Sequence, residues 1–419
     1  MKIELKHIVM MLCTGFLLAL VGCTEDSADG TTEQRTHNLR LSLGSRQYDF
    51  DMTRVAGDLP ANFMDYETYR KRSDIQLPPF PQIQCYLTTV NADEDPISCT
   101  FTYQEINNPE DENDKNDIWT TRVPLKEKDA NGNPMNYYIY GYLPKGGVGG
   151  TVAINRIVTN DGYGNSYENS YKEGAILTLN GLNAVTPEDI CIIVGAQGYA
   201  ANATVPDMST RLGKFSFQPS ATTTTTDDNI FLLIDHLYAG LQFYMQLDSK
   251  YAALRKIKVT HIELTPGDGN SEVYETVDAT VKIVANESQI NPIVEYLNSA
   301  GKNISGDVTF TTHMGTNPVP AVLYGGREDE EGKYLTTESM PFQACFCPST
   351  NRKFTLETTY DVYDRKDNLI RERQKARNTI SLEYNLNAGQ IHTLNITVKP
   401  TFLYMLSEPD LDNPTFDVN

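Results

Sequence analysis

Apolar and polar residues alternate in short runs along most of the chain. Phe354, Leu356, Thr358, Tyr360 and Val362 are separated by Thr355, Glu357, Thr359 and Asp361. That is the period of a half-buried strand, because successive side chains point to opposite faces. Ile257, Val259 and Leu264 mark a further strand, and so does the run from Val273 to Val284. Tyr137–Leu143 and Ala175–Leu182 read as strands bounded by Gly- and Asn-rich turns. Ile380, Leu382, Tyr384 and Leu386 alternate before Asn387-Ala388-Gly389-Gln390, and Leu394, Ile396 and Val398 alternate after it. Two such runs around a short Gly-containing turn predict a β-hairpin. Helix is scarce, with short candidates at Asp65–Arg72 and Asn291–Ser299. The fold class expected is all-β, built from sandwiches with few short helices, rather than a parallel sheet.

The 419 residues favour two domains over one. Gln218-Pro219-Ser220-Ala221, five threonines at 222–226 and Asp227-Asp228 form a polar run between patterned segments. This run divides an N-terminal β-sandwich domain, 37–217, from a C-terminal one, 218–400, with 401–419 as an extension. Asn107–Asp117 is densely charged and reads as a loop.

The first residues form a targeting signal. Lys2 and Lys6 precede the apolar run Ile8–Leu20, broken by Cys13, Thr14 and Gly15 and ending in Leu20-Val21-Gly22-Cys23. The run is short for a membrane-spanning helix, which needs about 20 apolar residues. The final tetrad resembles the bacterial lipobox, which makes 1–22 a lipoprotein signal peptide and Cys23 the lipid-bearing residue. Residues 23–36 form an acidic linker. Its start, Thr24-Glu25-Asp26-Ser27-Ala28-Asp29, resembles the surface-export signal of Bacteroidetes lipoproteins.

The formal net charge is −20, which argues against nucleic acid and suits a soluble surface protein. Of the seven cysteines, Cys85, Cys99, Cys191, Cys345 and Cys347 remain once Cys13 and Cys23 are set aside. An odd number cannot all pair within the chain, and buried free thiols are expected. The six histidines are scattered and none stands at metal-ligand spacing from another. Asp111–Asp117 starts like a calcium loop, but Lys115 takes a ligand position and no glycine follows at the sixth. Gly146–Gly150 lacks the Lys-Ser/Thr of a phosphate cradle and reads as a turn. There is no hydrolase, zinc-protease or dinucleotide motif. The expectation is therefore no enzyme, no cofactor and no metal. His236, a lone polar residue in an apolar run, is expected to be a hydrogen-bonded core residue.

Three segments in order carry a family resemblance. Leu233-Ile234-Asp235-His236-Leu237-Tyr238-Ala239-Gly240-Leu241, after a Thr/Asp-rich stretch, resembles the His-centred core strand of fimbrillin-like proteins of Bacteroidales. Tyr137–Pro144 resembles the family's aromatic strand ending at proline, and Leu386–Ile396 its closing hairpin. The resemblance implies two tandem transthyretin-like β-sandwiches and a structural role in a type V pilus. It further implies export as a lipoprotein to the outer membrane. An arginine-directed protease would then remove the first strand, and a strand from a neighbouring subunit would fill the groove.

The residues themselves supply matching features. Leu39, Leu41 and Leu43 alternate near the N-terminus, with Gly44-Ser45-Arg46 just beyond. Arg46 is the expected cleavage point. Arg54 is the alternative, because Tyr48, Phe50 and Met52 also alternate. At the other end Phe402, Leu403, Tyr404, Met405 and Leu406 form an apolar run past the predicted closing hairpin, a candidate donor strand. The expected partners are neighbouring fimbrial subunits, the outer membrane through lipid on Cys23 before processing, and a host or bacterial surface ligand. Stalk is favoured over tip or anchor. The competing function is a surface glycan-binding lipoprotein without catalytic activity, with Trp119 as a candidate aromatic platform.

Overall fold

The computed structural model describes residues 34–418 apart from 46–61, 64–80, 90–93, 109–110, 147–150, 158–170, 201–214, 221–226, 268–272, 287–305, 316–318, 327–330, 349–352, 384 and 402–409. The signal peptide, Cys23, Arg46, Arg54, the two predicted helices and the run Phe402–Leu406 therefore lie outside the described residues. Those residues are almost wholly β-strand, as the alternation predicts. The one helix among them is the single turn α1 (Ser249–Ala252), capped by the Asp248 carboxylate on the Lys250 and Tyr251 amides.

Eight strands close into a ring rather than leaving two separate facing sheets. They are β1 (Gln34–Ser45), β3 (Ile83–Thr88), β4 (Ile97–Asn108), β5 (Asp111–Lys126), β6 (Tyr137–Leu143), β10 (Cys191–Tyr199), β11 (Phe215–Phe217) and β12 (Asp227–His236). Their order round the ring is β1-β12-β10-β11-β6-β3-β4-β5. Phe101, Ile139, Ile193, Phe215 and Ile234 are buried in its core. Closure removes the free edges that an open sheet would offer to other chains. The predicted loop at Asn107–Asp117 is instead the far end of the β4–β5 ladder, which pairs Glu105 with Asp117 and Asn107 with Lys115.

The second core is built by two further sheets. One orders β2 (Asn62–Phe63), β22 (Gln390–Thr401), β13 (Ala239–Leu247), β19 (Met340–Phe346) and β9 (Val185–Thr186), with β23 (Asp410–Val418) on β22. The other orders β17 (Ala321–Tyr324), β14 (Lys256–Pro266), β20 (Lys353–Tyr363) and β21 (Leu369–Ser381), with β18 (Lys333–Tyr334) on β14. Between them pack Phe243, Phe342, Phe354, Leu356, Val259 and Ile396. A register shift between Val259 and His261 explains why the apolar set of β14 slips from Ile257 and Val259 to Ile262 and Leu264. A four-stranded sheet of β7 (Thr151–Ile157), β8 (Tyr171–Asn183), β15 (Val273–Asn286) and β16 (Gly306–Gly315) unites strands from both halves of the sequence.

Two sequence expectations are corrected here. The run Leu233–Leu241 is not one strand: β12 ends at His236, the chain bends at Leu237-Tyr238, and β13 starts at Ala239 in a different sheet. The 217/218 division falls between β11 and β12, both members of the ring. The predicted hairpin around Asn387–Gln390 is not a hairpin: β21 pairs with β20, while β22 pairs with β13 in parallel. Alternation specifies a strand and its buried face but leaves its partner open.

Candidate functional site

β1 closes the ring. It runs parallel to β12, from Asn38 opposite Asp227 to Ser45 opposite Ile234, and antiparallel to β5, from Gln34 opposite Lys126 to Leu41 opposite Trp119. Leu39 and Leu41 are fully buried and Leu43 packs against the same core. These are the three leucines whose alternation marks the strand in the sequence. Burying each such side chain is worth roughly 1.5–3 kcal/mol.

Polar contacts fix the register of β1 along its opposite face and lower end. His37 is buried with its Nδ1 at 2.8 Å from Asp228 Oδ2 and its Nε2 at 3.7 Å from Glu127 Oε1. The Ser220 amide donates to Asp228 Oδ1 at 2.7 Å. Burial pushes the Asp228 carboxyl above its ordinary range, against the pull of the Ser220 amide and His37. Asn38 Nδ2 donates to Asp227 Oδ1 at 2.8 Å, and the Arg40 guanidinium lies 3.5 Å from Asp227 Oδ2. Ser42 Oγ and Tyr199 Oη are 3.2 Å apart. Asp227 and Asp228, read in the sequence as the end of a polar linker, thus open β12 and hold the first strand.

Excision of β1 would leave a groove with two bare edges, one on β5 and one on β12, floored by the pockets of Leu39 and Leu41. Its chemistry suits an extended peptide that alternates large apolar residues and supplies backbone donors and acceptors. Arg46 and Arg54 follow β1 in sequence but lie outside the described residues.

The C-terminal extension is in part docked on its own second core. β23 pairs antiparallel with β22, from Val418 opposite Ile396 to Pro414 opposite Pro400. Phe416 is buried against Tyr360 with ring centroids 5.0 Å apart, and its carbonyl accepts from Asn378 Nδ2 at 2.6 Å. Arg255 binds Asp412 at 3.0 Å, and Lys399 pairs with Asp417.

The candidate platform Trp119 is 2% exposed, packs edge-on to Tyr103 and donates its indole N–H to Pro81 O at 2.8 Å. It is a core residue, so the expectation that it serves as a sugar platform is corrected. His236 is a hydrogen-bonded core residue as expected, but its partners were not visible in the sequence. Its Nδ1 lies 2.5 Å from Asp189 Oδ2 and 3.5 Å from Cys191 Sγ, and the thiol lies 3.2 Å from the same carboxylate oxygen. Cys191 stands directly opposite His236 in the β10–β12 ladder. The spacing Asp189-x-Cys191 was the available signal, since positions i and i+2 of an extended segment share a face. Cys85, Cys99, Cys191, Cys345 and Cys347 are free and buried, as expected. Among the described residues no helix is long and apolar enough to cross a membrane.

No family model and no curated protein matches the chain. Among solved structures it is similar to a candidate cell adhesion protein from Bacteroides fragilis, at 9% identity, covering 91% of this chain and 97% of that one with a TM-score of 0.39. It is similar to a fimbrial protein from Bacteroides vulgatus at 13% identity, covering 91% and 98% with a TM-score of 0.31. It is also similar to the fimbrial anchor protein Mfa2 from Porphyromonas gingivalis, at 9% identity, covering 92% and 98% with a TM-score of 0.22.

Proposed function

We propose that this chain is a structural, non-catalytic subunit of a cell-surface fimbria, assembled by strand exchange. The observation that carries this reading is the place of β1. The first described strand closes an eight-stranded ring, seats Leu39 and Leu41 in its core, and is followed at once by Arg46. Lipid on Cys23 holds the precursor at the outer membrane. Cleavage after Arg46, or after Arg54, frees β1 and opens the groove between β5 and β12. Residues Phe402–Leu406 of a neighbour then enter it. Phe402, Tyr404 and Leu406 alternate as Leu39, Leu41 and Leu43 do. The neighbour's insertion restores the lost main-chain ladder and reburies the leucine pockets, which favours a fibre that resists dissociation. A stalk position follows from loss of lipid and first strand together.

The test is to treat the purified precursor with an arginine-specific protease and to follow size by electron microscopy. Wild type should form oligomers, whereas a chain truncated before Thr401 should be cut and stay monomeric. Equal polymerisation of the truncated chain would remove the tail as donor.

A further inference from the structure

A second site lies apart from the first strand, where the ring meets the second core. Asp189 precedes β10, Cys191 opens it, and His236 ends β12. All three are buried, at 5%, 1% and 3% exposure. Their donor atoms Oδ2, Sγ and Nδ1 converge, with separations of 2.5, 3.2 and 3.5 Å. Three different ligand types from two strands, with no water-facing side, form an unusual grouping for a β core made of leucine, isoleucine and tyrosine.

We propose that Asp189, Cys191 and His236 bind a divalent zinc-class ion. The donor set is the one that such an ion takes, namely thiolate, imidazole and carboxylate. Around tetrahedral zinc the metal–sulfur bond is about 2.3 Å and the nitrogen and oxygen bonds about 2.0–2.1 Å, which places neighbouring donors roughly 3.3–3.6 Å apart. The Cys191–His236 separation already matches at 3.5 Å, and the Cys191–Asp189 separation, at 3.2 Å, is slightly short of that range. The Asp189–His236 pair must open by roughly 1 Å as the ion replaces the hydrogen bond between them.

Binding forms a zinc–sulfur bond and releases the thiol proton to solvent. Imidazole binds through the Nδ1 lone pair, with its proton on Nε2. With the ion, the negative carboxylate and thiolate gain a counter-charge in a place that water does not reach. The site would tie the start of β10 to the end of β12, beside the bend that leads into β13, and so pin the junction of the two cores.

The experiment uses the full-length chain produced in zinc-supplemented medium and dialysed. Elemental analysis should find about one zinc per chain. Refolding with cobalt in place of zinc should give the near-ultraviolet thiolate-to-cobalt charge-transfer band. This band needs no variant, so it is independent of whether changes at these buried positions fold. Cys191→Ser and His236→Gln should lower retained zinc at least tenfold. Cys85→Ser, on β3 and separated from β10 by β6, should leave it unchanged. A folded wild-type chain that holds no zinc and shows no charge-transfer band would overturn the proposal. So would a Cys191→Ser chain that retains its zinc.

Discussion

Leu41 of β1 stands directly opposite Trp119 of β5, and both side chains are buried in the core of the ring. Trp119 is the single tryptophan of the chain, which makes its emission a reporter of the first strand. Losing β1 should wet one face of the indole and shift its emission to the red. Adding a synthetic peptide of residues 401–419 to the cleaved chain should shift it back. A cleaved chain whose emission stays blue would show that β1 remains seated.

The same contact sets the stability of the precursor. Leu41→Ala removes a buried side chain from a closed core that relaxes only in part, so it should cost about 2–5 kcal/mol of unfolding free energy in urea. Leu43→Ala, at a half-buried position nearer the end of the strand, should cost less. Equal losses at both positions would mean that the core does not distinguish the middle of β1 from its end.

The alternating leucines made β1 legible in the sequence, because period-2 patterning reports a buried face directly. The same signal placed β14, β15 and β20, while an unbroken aromatic run between turns marked β6 at Tyr137–Leu143. It could not show that β22 pairs with β13 rather than with β21. Partner choice depends on contacts far apart in sequence, and alternation is silent on them. The crossover at Leu237-Tyr238 was hidden for another reason. Residues on both sides of the bend are buried, in the ring before it and in the second core after it, so the apolar run never breaks. Asp228 looked like part of a linker, and its bond to His37 spans 191 positions.

Asp228 gives a pH signature to the first strand. Its carboxyl is raised in the folded chain, chiefly by burial. A group whose folded pKa exceeds its unfolded one favours the fold fully below the unfolded value and loses that contribution as pH rises through the folded value. Asp228→Asn stays neutral throughout. Wild type should therefore lose stability relative to Asp228→Asn as pH climbs from the ordinary carboxylate range to the raised one, and the difference should then level off. Urea unfolding at a series of pH values measures it, and a difference that runs the other way would refute the assignment.

Gly141 of β6 tests how closely the ring is packed. A Cβ there would meet the Gln84 carbonyl oxygen of β3 at 2.2 Å and the Cys85 Cα at 3.1 Å. Backbone cannot swing aside as a flexible side chain can. Gly141→Ala should destabilise the chain by about 1–3 kcal/mol through strand displacement. Gly132→Ala should remain folded with a smaller loss, since nothing lies within 4 Å of its added carbon and only its φ of 82° resists. Thermal unfolding of the two variants side by side decides this.

The docked end of the tail bears on assembly. β23 sits at the rim of its sheet, held by the Phe416 ring against Tyr360, the Asn378 bond to the Phe416 carbonyl and the Arg255–Asp412 pair. A tail that donates residues 402–406 to a neighbour is shared between two demands, because the strand that follows is bound at home. Phe416→Ala removes the main apolar anchor and leaves the donor run untouched. If docking of β23 restrains the tail, this variant should oligomerise faster than wild type after arginine cleavage, at equal protein concentration and equal extent of cutting. Arg255→Ala should act in the same direction and more weakly, since a half-exposed ion pair contributes only about 0–1 kcal/mol. Light scattering on pre-cleaved chains follows both. Slower assembly of Phe416→Ala would show that β23 must stay docked while its neighbouring residues reach across, so that it acts as the anchor of the donated strand rather than as its restraint.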